Sequence, residues 1–180
     1  IASMEAMTSL PQVCHYLDIP LQHASPEVLK RMRRPYDIAE TRRMLEHLHR
    51  AMPDVALRTT FLVGFPGETE AEFDETLDFI REMDFAGGHV FTYSARPGTP
   101  AARMKNQVPH DIRKYRNRIL REVISEQALS YRKNYIGRTL PVLWESVTQV
   151  SDSGWQLEGW TGNYIRVSAV APEPRWNKMD

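Results

Sequence analysis

Thr59 to Val63 is an unbroken run of β-branched and apolar residues that stops at Gly64, Phe65, Pro66 and Gly67, just before an acidic helix start. A run without polar alternation belongs to a strand covered on both faces, the mark of a parallel sheet. A parallel strand must return through a crossover, usually a helix. The glycine-rich turn exposes backbone at the strand's carboxyl end, where open α/β sheets hold ligands. Val90 to Met104 repeats the arrangement, with a strand running into Pro97, Gly98 and Pro100. The two segments point to one ligand rim.

The flanking sequence supplies the remaining alternation of strand and helix. Ala2 to Leu10 reads as a helix tail, and His15 to Leu21 as a strand ending at Gln22 to Ser25. Ser25 before Pro26 is a helix start, with the hydroxyl as N-cap and proline at the first helical position. That helix is expected to stop near Arg34 and Pro35. Asp37 with Glu40, and Thr69 with Glu72, have capping-box spacing. A long helix from His110 to Tyr135 is expected to bury Ile112, Tyr115, Ile119 and Val123. Three parallel strands are few for a sheet that needs cover on both faces. Residues 1–136 therefore read as part of a larger α/β barrel or half-barrel whose beginning is missing.

The pattern changes at Gly137. Alternating runs over Thr139–Val147 and Asn163–Val170, with turns around Asp152–Gly154 and Thr161–Asn163, describe a small β-module over 137–180, most simply an open barrel. At 180 residues, 42% hydrophobic and 26% charged, the chain suffices for one core plus such a module.

Zero net charge names no partner, but residues 103–138 hold ten Lys/Arg against three Asp/Glu. A basic segment just before a β-module favours phosphate contact. Cys14 is the only cysteine, which excludes an internal disulfide and a cysteine-only metal site within this chain. With no apolar run of membrane-span length and no secretory signal, a cytoplasmic setting is expected.

Several stretches together resemble the radical S-adenosylmethionine methylthiotransferases. They are Leu17–Ser25, Arg31–Arg34, Thr60–Thr69, Phe91–Ala102, Gln107–Pro109 and Gly159–Val167, standing in the family's order. The resemblance implies the C-terminal half of a radical-SAM partial (β/α) barrel, followed by a small RNA-binding TRAM barrel. It also implies S-adenosylmethionine as cofactor and two [4Fe–4S] clusters in the full-length enzyme. The cysteines that hold those clusters in the family lie upstream of anything in this chain, so the chain alone is expected to be inactive. Missing N-terminal domains of the same protein are the implied partner.

Within that resemblance Gln22, Arg58, Val63, Gly64, Phe65, Phe91 and Tyr93 are the expected cofactor-binding residues. The glycine would let the main chain approach the adenine ring. Glu68 is read as a helix-start carboxylate favoured by the macrodipole. Phe91 and Tyr93, two residues apart, would share the barrel mouth. Surface or partly buried roles suffice for the six histidines. Arg132, Lys133, Arg138, Trp160, Asn163, Tyr164 and Arg166 are the expected RNA contacts, combining cations with ring faces. Among the family's substrates a threonylcarbamoyladenosine in a tRNA anticodon loop is favoured. Isopentenyladenosine and an aspartate of a small-subunit ribosomal protein are the alternatives, and a non-catalytic RNA-binding module is the reading from another class.

Overall fold

A computed structural model describes residues 2–34 and 36–180, with the side chains of residues 2–5 left aside. Helix α1 (Ala2–Ser9) leads into β1 (Tyr16–Gln22), α2 (Pro26–Arg31) and α3 (Ile38–Ala51). Then come β2 (Ala56–Val63), α4 (Glu70–Met83), β3 (Gly87–Thr92) and the long α5 (His110–Lys133). Helix α2 ends at Arg31, three residues before the Arg34 expected, and Pro35 lies outside the described residues. The three strands form a parallel sheet in the order β1-β2-β3, with Leu17 opposite Leu57 and Phe61 opposite Val90.

Strand alternation divides the sheet into two faces. Leu21, Leu57, Phe61 and Val63 pack with Leu45 and Leu48 of α3, Phe73, Leu77 and Ile80 of α4, and Leu120 and Ile124 of α5. Asp18, Arg58, Thr60 and Leu62 alternate onto the other face. Removing Phe61, which is fully buried with its ring edge-on to Phe85 at 6.2 Å, would cost about 3–5 kcal/mol.

Two local readings need correction. Helix α5 buries Arg116, Leu120 and Ile124, and Ile119 and Val123 pack half-buried against the core as expected, whereas Ile112 and Tyr115 face solvent. The inward stripe lies one residue beyond the apolar one because Arg116 is drawn to a buried carboxylate, while Asn117 donates to the Val90 carbonyl. Ser25 has N-cap backbone geometry, but its hydroxyl makes no capping hydrogen bond and lies buried without a partner. Asp37 and Thr69 do cap their helices, Thr69 in a complete capping box with Glu72.

The C-terminal residues form an antiparallel sheet in the order β6-β5-β4-β7: β4 (Val142–Ser151), β5 (Gly154–Thr161), β6 (Arg166–Ala171) and β7 (Lys178–Met179). The expected barrel is thus an open four-stranded sheet among the described residues, with β5 running between the two expected turns. Trp144, Val142 and fully buried Leu157 make its small core.

Candidate functional site

The rim at the carboxyl end of the parallel sheet is built around Glu68. The turn after β2 needs glycine at position 64, where φ is +76° and a β-carbon would overlap the Arg113 side chain. What crowds this glycine is therefore a side chain of α5, where the sequence suggested an approaching ligand. Arg113 also donates to the Tyr93 carbonyl, tying α5 to the end of β3.

Glu68 folds back under its own turn. Its Oε2 accepts from the backbone N–H groups of Gly64 at 2.6 Å and Phe65 at 3.2 Å. Its Oε1 accepts from Arg116 at 2.8 Å, and the side chain is fully buried. The carboxylate thus fills the anion-binding concavity of the turn from inside. It is a buried hub rather than an ornament of the helix start.

His23, fully buried, stands against the same carboxylate with Nε2 at 3.4 Å from Oε2. Its Nδ1 accepts from the Ser25 N–H and lies 3.0 Å from the Thr76 hydroxyl, so the ring proton belongs on Nε2. A surface role for this histidine is excluded. Only its place one residue after the strand end hinted at this in the sequence.

The expected cofactor residues part company here. Gln22 sits at the end of β1 with φ of +70°, a strained conformation for a residue with a side chain and one that clusters at ligand sites. Phe65 and Tyr93 meet edge-on at 5.5 Å and pack with Val28, Met32, Leu62 and Met104, while the Tyr93 hydroxyl is buried without a partner. Val63 points its side chain into the main core. Phe91 does not share Tyr93's environment: it is 56% exposed and stacked on His89, because β3 ends at Thr92 and alternation stops there.

Arg58 is not at the rim. Six residues before Gly64, or about 20 Å along an extended strand, it lies at the opposite end of the sheet beneath the β-module. Its guanidinium sits 5.5 Å from the Tyr164 ring centre. Tyr164, left-handed at φ +64°, is stacked between Tyr16 at 4.4 Å and Trp160 at 4.5 Å. Asn163, buried, donates to the Tyr131 hydroxyl at 3.0 Å and accepts from Thr161. Burial first, then the neighbouring Tyr135, push the Tyr131 phenol above its ordinary range.

Of the expected RNA contacts, Tyr164 thus joins the β-module to β1 and Asn163 joins it to α5, with Trp160 stacked behind Tyr164. Arg166 pairs with Glu158. Arg132, Lys133 and Arg138 remain exposed, Arg138 over the Tyr135 ring.

The implied cofactors fare differently against this geometry. The apolar rim around Phe65 and Tyr93, with an unpartnered hydroxyl, fits one side of an aromatic ligand with a polar edge. An iron–sulfur cluster has no such fit. Cys14 is exposed, and no group of three or more His, Cys, Asp or Glu that could hold a metal ion occurs among the described residues. No helix among them is long and apolar enough to cross a membrane.

Residues 3–80 match the model of the Radical SAM superfamily. The chain is 47% identical over 148 residues to ribosomal protein uS12 methylthiotransferase RimO of Roseiflexus sp. (strain RS-1), covering 81% of this chain and 31% of that protein. It is 40% identical over 156 residues to tRNA-2-methylthio-N(6)-dimethylallyladenosine synthase of Maricaulis maris (strain MCS10), covering 87% of this chain and 34% of that protein. The chain therefore spans about a third of the length of the relatives it matches.

Among solved structures, the radical SAM enzyme coproporphyrinogen III oxidase (HemN) from Escherichia coli superposes with a TM-score of 0.51 at 18% identity, covering 82% of this chain and 41% of that one. The fold is radical-SAM-like α/β, and the relatives in sequence are methylthiotransferases.

Proposed function

We propose that this chain supplies one wall of the S-adenosylmethionine site, together with the adjoining β-module, in a methylthiotransferase that modifies ribosomal protein uS12. The observation that carries this reading is the 47% identity to a uS12 methylthiotransferase over a span that includes the whole Gly64–Glu68 rim. Of the two relatives named above, that one is the more similar, and the other acts by name on dimethylallyladenosine in tRNA. Neither favours threonylcarbamoyladenosine, so the substrate preference expected from the sequence gives way to the ribosomal-protein alternative.

S-adenosylmethionine, when bound and reduced by a cluster, would supply the radical that opens an unactivated C–H bond. The residues of this chain do the holding. Phe65, Leu62 and Tyr93 offer an apolar wall, the Tyr93 hydroxyl a hydrogen-bonding group, and Glu68 with Arg116 keeps the turn in one shape. Since no group that could hold a cluster occurs among the described residues, the chain is expected not to cleave S-adenosylmethionine alone.

Peptide mass spectrometry of uS12, run beside nucleoside analysis of tRNA from the same cells, tests the substrate. Disrupting the gene should abolish the methylthio group on a uS12 aspartate and leave tRNA nucleosides unchanged. Intact uS12 with loss of a methylthioadenosine would overturn the proposal.

A further inference from the structure

At the end of the sheet away from the rim, a cavity of about 460 Å³ opens between β2, β3, α5 and the β-module. Its size lies within the range of about 300–1,000 Å³ typical of small-molecule sites. The floor is made by small residues, Ala56, Ala86, Gly87 and Ala128, which is why there is room. A β-carbon at Gly87 would come within 2.9 Å of Arg58 Nη1, so the bare backbone there lets the guanidinium lie over it.

The walls carry three arginines, Arg58, Arg132 and Arg166, and no acidic residue lines the cavity. Glu158 neutralises Arg166. Arg58 and Arg132 have no carboxylate within 4 Å among the described residues. Asp18, opposite Arg58 in the strand register, is exposed and forms no ion pair with it. The Arg58 Nε is buried without a hydrogen-bond partner, and the rest of the guanidinium has only neutral partners, the Tyr16 hydroxyl and the Tyr164 ring. A half-buried guanidinium that meets only neutral groups beside a cavity is favourably completed by an anion.

We infer that this junction cavity is a binding site for a phosphate monoester, with Arg58 and Arg132 as its charge partners. Two unneutralised guanidiniums match a group carrying about −1.5 to −2 charge at neutral pH better than a carboxylate or a phosphodiester, each of which carries a single charge. Guanidinium forks suit phosphate oxygens in geometry as well. Ile165 and Trp160 give the wall an apolar stretch for the organic part of the ligand. The site is separate from the S-adenosylmethionine wall and stands whether or not the substrate proposed above is right.

Isothermal titration of the chain with inorganic phosphate and with adenosine monophosphate tests this and separates the two sources of the group. Saturable binding is expected, tighter for the nucleotide if the apolar wall contributes and equal for both if only the phosphate is held. Arg132→Gln, an exposed change that leaves packing intact, should weaken binding about tenfold through loss of one charge-assisted contact. Arg58→Gln should weaken it further, and Arg118→Gln, which alters an exposed pair with Glu122, should do nothing.

Absence of saturation by either ligand, or an Arg132→Gln affinity equal to the parent, overturns the assignment. So does tighter binding of an RNA oligonucleotide lacking terminal phosphates, since that would make the cavity part of a phosphodiester track.

Discussion

The two ends of the parallel sheet use arginine in opposite ways. At the rim three arginines are tied down by the fold: Arg116 meets Glu68, Arg31 meets Glu72, and Arg113 donates to the Tyr93 carbonyl. At the base Arg58 and Arg132 face a cavity without a carboxylate. A neutralised buried charge fixes shape and offers a ligand nothing electrostatic, whereas an unneutralised one is available for binding. The rim therefore presents apolar surface in a rigid outline, and the base presents charge.

The sharpest way to break this contrast is to remove the neutralising carboxylate. Glu68→Gln keeps the shape and leaves Arg116 buried beside a neutral amide, which should cost about 3–5 kcal/mol in urea unfolding. Adding Arg116→Met should recover much of that loss. If the single change costs under about 1 kcal/mol, the rim is not held by its internal ion pair. Gly64→Ala comes next, because it forces a left-handed residue and an overlap with Arg113 together. A loss of about 2–3 kcal/mol is expected. Arg113→Ala should relieve only the overlap, so partial rescue is the diagnostic result.

The base should respond differently. Tyr164→Ala removes two ring stacks, each worth about 0.5–1.5 kcal/mol. Rim stability should stay unchanged while the β-module loosens, read as faster proteolysis in the exposed segment after Tyr135. Tyr164→Gly, which relieves the left-handed φ of +64°, loses the same stacks and should be less unstable than the alanine variant. Equal proteolysis of parent and both variants would show that the stack does not hold the module.

Much of the rim was legible in the sequence because its signals are local. Thr69 and Glu72 cap α4 across three residues, and the run before Gly64 announces a buried strand. What could not be read is nonlocal. That the bare α-carbon of Gly64 makes room for Arg113, and that the inward stripe of α5 contains Arg116 rather than Tyr115, depend on where a helix some fifty residues later crosses the turn. Burial of a cation contradicts apolar periodicity, so the helix face is misread by one residue.

The base fails for the same reason. Arg58 and Tyr164 are brought together by the fold across more than a hundred residues, and a ring-plus-cation composition looks alike whether it meets RNA or the protein's own sheet.

The smallest expected effect is also the cleanest separation of the two ends, because each has its own pH window. Burial raises the pKa of Glu72, but hydrogen bonds from Arg31 at 2.7 Å and the Thr69 N–H at 2.8 Å outweigh it and hold the group at about 2. A carboxylate depressed in the folded state contributes stability that is fully present above its ordinary value of 4.5 and is lost as pH falls toward about 2. The urea midpoint should therefore decline over that acid window, and Glu72→Gln should flatten part of the decline. Phosphate binding at the base should instead follow the second ionisation of the ligand, near pH 6. If both properties titrated together in the acid window, the two ends would be electrostatically coupled and the contrast between them would fail.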